Sequence, residues 1–544
     1  MKQGRERLDL NMEELARLLE RAKKNPLSEP DYQTLKAAVE TLGYLTQLLE
    51  DRKTTIDRLR QILFGASGEK TRTVLKTDRT QAKTAQREKS EKKTNGHGRN
   101  GAEAYRGATK IEVKHHSLKS GNRCPECRKG KVYDSTKPGL LVRIVGQAPL
   151  AATVYELEKL RCNLCGEVFT ADAPQGVGPH KYDARSGSMI ALLKYGSGLP
   201  FYRLEGLQES LGIPLPASTQ WGIVKELAAV IAPAYKELIT QAAQGEVLHN
   251  DDTTMKVLAL KRHSPENREP AKDFDDAEPA RERSGIFTSG IVSTREGRKI
   301  ALFFTGHKHA GENLTEVLKK RAKELGPPIQ MCDALARNLP KELEVIVAHC
   351  LAHARRKFID QVQNFPEPCR YVLETLRDVY RNDALAKQKR LSPDERLALH
   401  QAQSAPLMAE FENWMNAQIA ERKVEPNSGL GKALSYMINH FHKLTLFLRV
   451  PGAPIDNNLC ERALKKAILH RKNALFYKTE NGAYVGDLFM SLIHTCQLAG
   501  VSAFDYLTEL QLHAAELSRN PQQWIPWNYR DTLQRQNSAP LPRS

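Results

Sequence analysis

Glu461 stands in the stretch Asp456-Asn457-Asn458-Leu459-Cys460-Glu461-Arg462, which continues to Arg471-Lys472-Asn473. Leu459, Cys460, Ala463, Leu464, Ala467 and Ile468 recur at helical spacing, with Asp456 as the expected N-cap. Asn457, Asn458 and Lys465 stand at i−4, i−3 and i+4 from Glu461, on the flank away from that apolar stripe. A carboxylate held on a rigid helix among amides and cations suits a divalent metal beside a phosphate. A solvated helix face with i,i+4 pairing would show the same pattern. Two upstream carboxylates tip the balance. Asp251, followed by Asp252, lies in the strand-like run 247–258, and Asp333 ends the apolar run 328–333. Charge in a strand is costly unless it is paired or metal-bound. A capped strand end would account for either acid alone.

Cys124-Pro125-Glu126-Cys127 and Cys162-Asn163-Leu164-Cys165-Gly166 form a second constellation, with β-branched alternating sequence between them. Two C-x-x-C turns joined by strands supply the four thiolates of one tetrahedral, structural Zn²⁺. A redox pair is the alternative, and the matched second pair argues against it.

Several elements must position these groups. Residues 285–292 and 299–304 read as strands, 312–325 as a helix, and 343–348 as a strand running into His349-Cys350. The order β-β-β-α-β, with one acid on the first strand and another ending the fourth, is the ribonuclease-H-like plan. Upstream, short helices with Gly and Pro turns fill 186–245, the third beginning at Ser218. They resemble a helix-turn-helix, although a small helical bundle has the same pattern. Leu35, Leu42, Leu49, Ile56 and Leu63 repeat every seven residues, which predicts a coiled coil pairing two chains; one amphipathic helix packed on its own domain is the alternative. From Gly65 to about Arg106 apolar residues nearly vanish, leaving a basic linker.

The 544 residues are too many for one core, and 82 Lys+Arg against 64 Asp+Glu leave a net charge of +18. That excess favours a polyanionic partner. No apolar run suits a bilayer or a secretory leader, so the expected compartment is the cytoplasm, with no membrane partner.

His249-x-Asp251-Asp252-Thr253, the Asp333 strand end, Cys350-Leu351-Ala352-His353-Ala354-Arg355-Arg356-Lys357-Phe358, and Asp456-Asn457-Asn458-x-x-Glu461-Arg462 with Arg471-Lys472-Asn473 together resemble the insertion sequence 66 family of bacterial DDE transposases. The resemblance implies that Asp251, Asp333 and Glu461 are the catalytic acids and hold two Mg²⁺, with Mn²⁺ as a substitute. Asp252 is not expected to be a ligand, because its side chain faces the other side of the strand. His353, Arg355, Arg356, Asn457, Asn458, Lys465, Arg471 and Lys472 are the candidates for phosphate contact or support. The implied partners are double-stranded DNA, both the element's terminal repeats and the target, a second copy of the chain, and accessory proteins of the same element.

The expected fold is multidomain α+β. Its parts are a helical, zipper-like region (1–66), a basic linker (67–110), a zinc ribbon (111–180), a helical DNA-binding segment (181–245), a ribonuclease-H-like catalytic domain (246–478) with a helical insertion at about 359–450, and a helical cap and tail (479–544). Two other functions use the same residues: a ribonuclease-H-like nuclease that cuts without joining, and a zinc-ribbon DNA-binding regulator without catalysis.

Overall fold

The computed structural model describes residues 28, 32, 114, 117–133, 148–161, 165, 168–178, 180–260, 285–340 and 343–538. The heptad helix, the basic linker and Cys162 lie outside these. The chain divides into two compact units, one of residues 1–83, 355–381 and 413–433, the other of residues 84–354, 382–412 and 434–544.

The larger unit is built on a mixed five-stranded sheet: β3 (Val247–Thr254), β4 (Phe287–Arg295), β5 (Arg298–Gly306), β6 (Ile329–Cys332) and β7 (Ile346–His349), in spatial order β5-β4-β3-β6-β7. β3, β4 and β5 pair antiparallel, while β6 and β7 run parallel to β3. Glu296-Gly297 turns β4 into β5, and both residues take positive φ, as a two-residue hairpin requires. β4 and β5 bury their central residues on both faces, which explains runs such as Ile300-Ala301-Leu302-Phe303 without alternation. A small antiparallel pair, β1 (Lys159–Arg161) and β2 (Val168–Thr170), brackets the second Cys pair.

Helices α1 (Ala184–Ala191), α2 (Phe201–Ser210) and α3 (Ala217–Ala243) share one hydrophobic core with the sheet. α3 is 27 residues long and carries Pro233 inside it, far longer than a short third helix. Its stripe of Val224, Leu227, Ile231, Ala234 and Leu238 is fully or nearly fully buried, and Tyr235 Oη donates to the Phe303 carbonyl at 3.1 Å. Burial of that stripe outweighs the lost backbone bond at the proline. α4 (Ala310–Leu318) follows β5 and is shorter than its apolar pattern implied.

After β7 come α5 (Leu351–Ile359), α6 (Pro366–Lys389), α7 (Pro393–Gln403), α8 (Ala405–Ala420) and α9 (Gly429–Leu444). In the smaller unit Phe358, Cys369, Val372, Leu376 and Met415 are fully buried, and Tyr371 packs on Trp414 with ring centroids 4.6 Å apart. In the larger unit Asp383 on α6 is buried and held by Arg396 of α7 at 2.7 Å and Lys387 at 2.6 Å. Then follow α10 (Asn458–Ala474), α11 (Glu480–Leu498), α12 (Ala503–Leu512), α13 (Ala514–Arg519) and α14 (Tyr529–Ser538). Beyond Asn528 the chain is helical through Ser538. Buried Tyr529 and Thr532 anchor it despite its polar composition.

The outer edge of β5 is covered by α11. Asp487, Ser491 and Thr495, spaced four residues apart, accept the backbone N–H groups of Thr305 (2.6 Å), Phe303 (3.0 Å) and Ala301 (3.1 Å). Alternate N–H groups of a strand point the same way, so a helix with an acceptor on every turn satisfies them. Burial raises the Asp487 carboxyl to about 7, partly offset by its bonds to Thr305. Its folded value therefore lies above its unfolded one. Its contribution is fully present below about pH 4 and is lost as pH rises toward 7. Asp487→Asn is expected to remove that dependence, leaving stability in urea less sensitive to pH between 5 and 8 than in the native chain. Parallel pH dependences would refute this role.

Candidate active site

Asp251 lies in β3 opposite Gly290 of β4. A Cβ at Gly290 would stand 2.9 Å from Leu464 Cδ2, so any larger residue there would force Leu464 of α10 to shift. Cys460 Sγ donates to the Gly290 carbonyl at 3.3 Å, and Cys460, Ala463, Leu464 and Ala467 are buried. The stripe expected on this helix is thus its packed face, with Leu459 and Ile468 half-buried at its margins. Glu461 is left half-buried, its side chain 24% exposed.

Burial raises the Asp251 carboxyl to about 7; the charge of Asp333 adds to this, as do Asp252 and Glu461. The Asp252 N–H, 2.8 Å from Asp251 Oδ1, offsets part of it. The three acids singled out in the sequence therefore share one electrostatic neighbourhood, on a strand, on the turn after another strand, and on a helix. Burial first, and the neighbouring acids second, disfavour charge on Asp251, and a hard divalent cation at these oxygen donors would offset both. Asp252 faces elsewhere. Its side chain, 1% exposed, meets His309 Nδ1 at 2.9 Å and Arg337 at 3.2 Å. It thereby ties β3 to the N-cap of α4 and to the turn that follows Asp333.

A buried amide network missed in the sequence fixes that turn. Asn338 Nδ2 donates to Asp333 Oδ1, and its carbonyl accepts from Asn250 Nδ2 (2.8 Å) and Gln330 Nε2 (2.6 Å). Gln330 Nε2 also donates to Asn250 Oδ1 at 2.8 Å. The available signal was Gln330, an amide in a strand whose other residues are apolar.

The start of α10 differs from expectation. Asn457 is the N-cap, and Asp456 instead accepts the Asn458 N–H at 3.1 Å. Asn457 does not share a flank with Glu461 but is fully buried. Its Nδ2 donates to the Asn250 carbonyl (3.1 Å), its Oδ1 meets His249 Nδ1 (3.1 Å), and its N–H donates to Cys350 Sγ (3.2 Å). Burial lowers His249 to about 4, so the ring is neutral and its Nδ1–H donates to Asn457. Arg471 is half-buried, its Nη1 donating to Thr253 Oγ1 (3.0 Å), Thr254 Oγ1 (2.7 Å) and the Thr254 carbonyl. Asn457 is committed to these buried bonds, whereas the three bonds of Arg471 all use Nη1. Asn458, Lys465 and Lys472 are exposed. Arg355 is buried and Arg356 half-buried on α5. His353, near the start of the same helix, puts Nδ1 3.5 Å from Glu461 Oε1.

At the first Cys pair, Gly130 N–H donates to Cys127 Sγ at 3.4 Å, and this backbone bond leads the lowering of the Cys127 thiol below its ordinary range. Arg128 closes the turn at φ 56°. Cys124, Cys127 and Cys165 carry no disulfide.

Among the described residues no helix is long and apolar enough to cross a membrane. Residues 181–485 match the family described as "Transposase IS66 family". Three proteins of Sinorhizobium fredii (strain NBRC 101917 / NGR234) are similar. "Uncharacterized protein y4jD" is 26% identical over 63% of this chain and 65% of its own length. "Uncharacterized protein y4hP" is 24% identical over 69% and 67%, and "Uncharacterized protein y4qI" 25% identical over 63% and 61%. The chain thus spans just under two thirds of the first relative. The matched segment runs from before α1 into α11, taking in the sheet, the acids and α10, and by that match the chain belongs to the IS66 family of transposases.

Proposed function

We propose that the chain is a DNA transposase that cuts the ends of its mobile element to free a 3′-hydroxyl and joins that hydroxyl to target DNA. The observation that carries this is the raised Asp251 carboxyl with Asp333 and Glu461 in its field. The sheet order supports a ribonuclease-H-like catalytic fold, in which acids on the first strand, after the fourth and on a late helix converge. Asp251, Asp333 and Glu461 would hold two Mg²⁺, or Mn²⁺, which when bound supply activation of the attacking oxygen and stabilisation of the leaving one. In the first step a water oxygen bonds to phosphorus and loses its proton to solvent, the P–O3′ bond breaks, and the leaving O3′ takes up a proton to become the 3′-hydroxyl. In the second, the freed 3′-oxygen attacks a target phosphate and displaces the target's own 3′-oxygen. Asn457, the Asn338 network and Asp252 act indirectly, by fixing the strand, turn and helix that carry the acids. Lys465 and Lys472, exposed on α10, are the cations open to DNA phosphates.

Purified protein incubated with duplexes of the element's ends, Mg²⁺ and a target plasmid is expected to give nicked ends and joined products. Cleavage without joining would reduce it to a nuclease, and binding without cleavage to a regulator.

The remaining parts of the reading serve assembly on DNA. Cys124, Cys127, Cys162 and Cys165 hold one structural Zn²⁺, α2 and α3 contribute to DNA contact, and the Leu35–Leu63 heptads pair two chains, one for each end. The formed knuckle around Gly130 and the β1–β2 pair support the zinc site. Metal analysis is expected to find about one tightly held zinc per chain. Full retention in a Cys124→Ser, Cys162→Ser double variant would reject the assignment.

A further inference from the structure

Cys350, His353 and Glu461 place a thiol sulfur, an imidazole nitrogen and a carboxylate oxygen within 4.8 Å of one another. Cys350 and His353 flank the first turn of α5, and Glu461 lies in the first turn of α10. One backbone bond and one bond from a backbone N–H to the thiol sulfur lock these turns together. The Leu351 N–H donates to the Ile455 carbonyl at 3.0 Å, and the Asn457 N–H to Cys350 Sγ at 3.2 Å. The three donors are therefore preorganised before any ligand arrives. His353 Nδ1 is buried and makes no hydrogen bond, its nearest anionic partner being Glu461 Oε1 at 3.5 Å. The His353 and Glu461 side chains remain 28% and 24% exposed, so the cluster can be reached from solvent.

A sulfur, a nitrogen and an oxygen donor form a poor set for Mg²⁺, which takes oxygen, and a good one for Zn²⁺, which accepts all three with a water in the fourth position. The Asn457 N–H already directed at the sulfur is the outer-shell contact that a metal-bound thiolate uses. We propose that Cys350, His353 and Glu461 form a second, exchangeable Zn²⁺ site, distinct from the cysteine knuckles, that withdraws Glu461 from the Mg²⁺ cluster and so arrests cleavage. Binding forms a Zn–S bond and releases the Cys350 proton to solvent, with no change of oxidation state. The arrest rests on the assignment of Glu461 under the proposed function, whereas the cation site does not.

The test uses the full chain with its knuckles zinc-loaded, and Co²⁺ as a spectroscopic probe. Co²⁺ is expected to produce a sulfur-to-metal charge-transfer band that Cys350→Ser abolishes. His353→Gln is expected to weaken Co²⁺ binding on the order of tenfold or more, and Cys124→Ser to leave the Cys350-dependent band intact. In Mg²⁺-supported cleavage, added Zn²⁺ should inhibit the native chain, and Cys350→Ser should raise the half-inhibiting concentration at least about tenfold while keeping cleavage. A band that survives Cys350→Ser, in protein whose circular dichroism is native, overturns the site. Equal Zn²⁺ sensitivity of the native chain and the variant overturns the arrest. A Cys350-dependent band in a chain that never cleaves DNA would uphold the site and reject the catalytic reading of Glu461.

Discussion

Glu461→Gln, Asp251→Asn and Asp333→Asn are each expected to lower DNA cleavage on the order of 10³-fold or more while leaving DNA binding intact. Each amide keeps the shape of the acid but removes the charge that would hold a divalent cation. The losses should not add, because a site missing one acid already lacks a working metal pair. Asp252→Asn separates charge at the site from charge nearby. Its side chain is committed to His309 and Arg337 and faces away from the cluster, so partial activity with reduced stability is expected. Full loss in Asp252→Asn alongside normal cleavage in Asp251→Asn would place the metal-binding face one residue along β3. The raised Asp251 carboxyl adds a pH signature. A proton competes with the cation below about pH 7, so calorimetric Mg²⁺ affinity should fall as pH drops through that value and stay level above it.

The second large effect is on stability, at Asp383. Burial alone would raise this carboxyl, but His400, Arg396 and Lys387 hold it well below the ordinary carboxylate range. The side chain is 3% exposed and that of Arg396 14%. Arg396 also donates to the Ala453 carbonyl at 2.7 Å, in the segment that leads into α10. Removing one partner of a buried pair strands the other, so Asp383→Ala should cost about 3–5 kcal/mol in urea unfolding. Replacing both, Asp383→Leu with Arg396→Met, should recover most of that loss. Because the folded carboxyl lies below its unfolded value, the contribution is present above about pH 4 and lost as pH falls further. A cost under about 1 kcal/mol for Asp383→Ala would mean that the cluster is as weak as a surface pair.

Local pattern carried much of this molecule. The strands around Asp251 and Asp333 are legible as short runs that end or centre on an acid, and the buried stripe of α10 because its apolar residues recur at helical spacing. What escaped depends on partners far away in sequence. Asn457 looks like a helix-flank amide until Asn250, more than 200 residues earlier, is seen to receive it. Arg471 reads only as a cation for DNA, and its tie through Nη1 to the end of β3 shows only in the packing. The length of α3 was hidden by Pro233, a helix breaker by local rule that is outweighed here by a buried face. Asp383, Arg396 and His400 have ordinary helix-surface spacing, and nothing short of the packing announces them as internal.

The covering of β5 by α11 has a consequence in time. Thr305 and Asp487 are separated by 182 residues, and a chain is made from its N-terminus. At about 5–20 residues per second, roughly 10–35 s pass between synthesis of the strand and synthesis of the helix that closes it. Through that interval the Ala301, Phe303 and Thr305 amides have none of their α11 acceptors, and an open strand edge is a template for another chain's strand. The nascent protein is thus adhesive along this edge until α11 has been made, and neighbouring chains on one message are the nearest strands that could add to it.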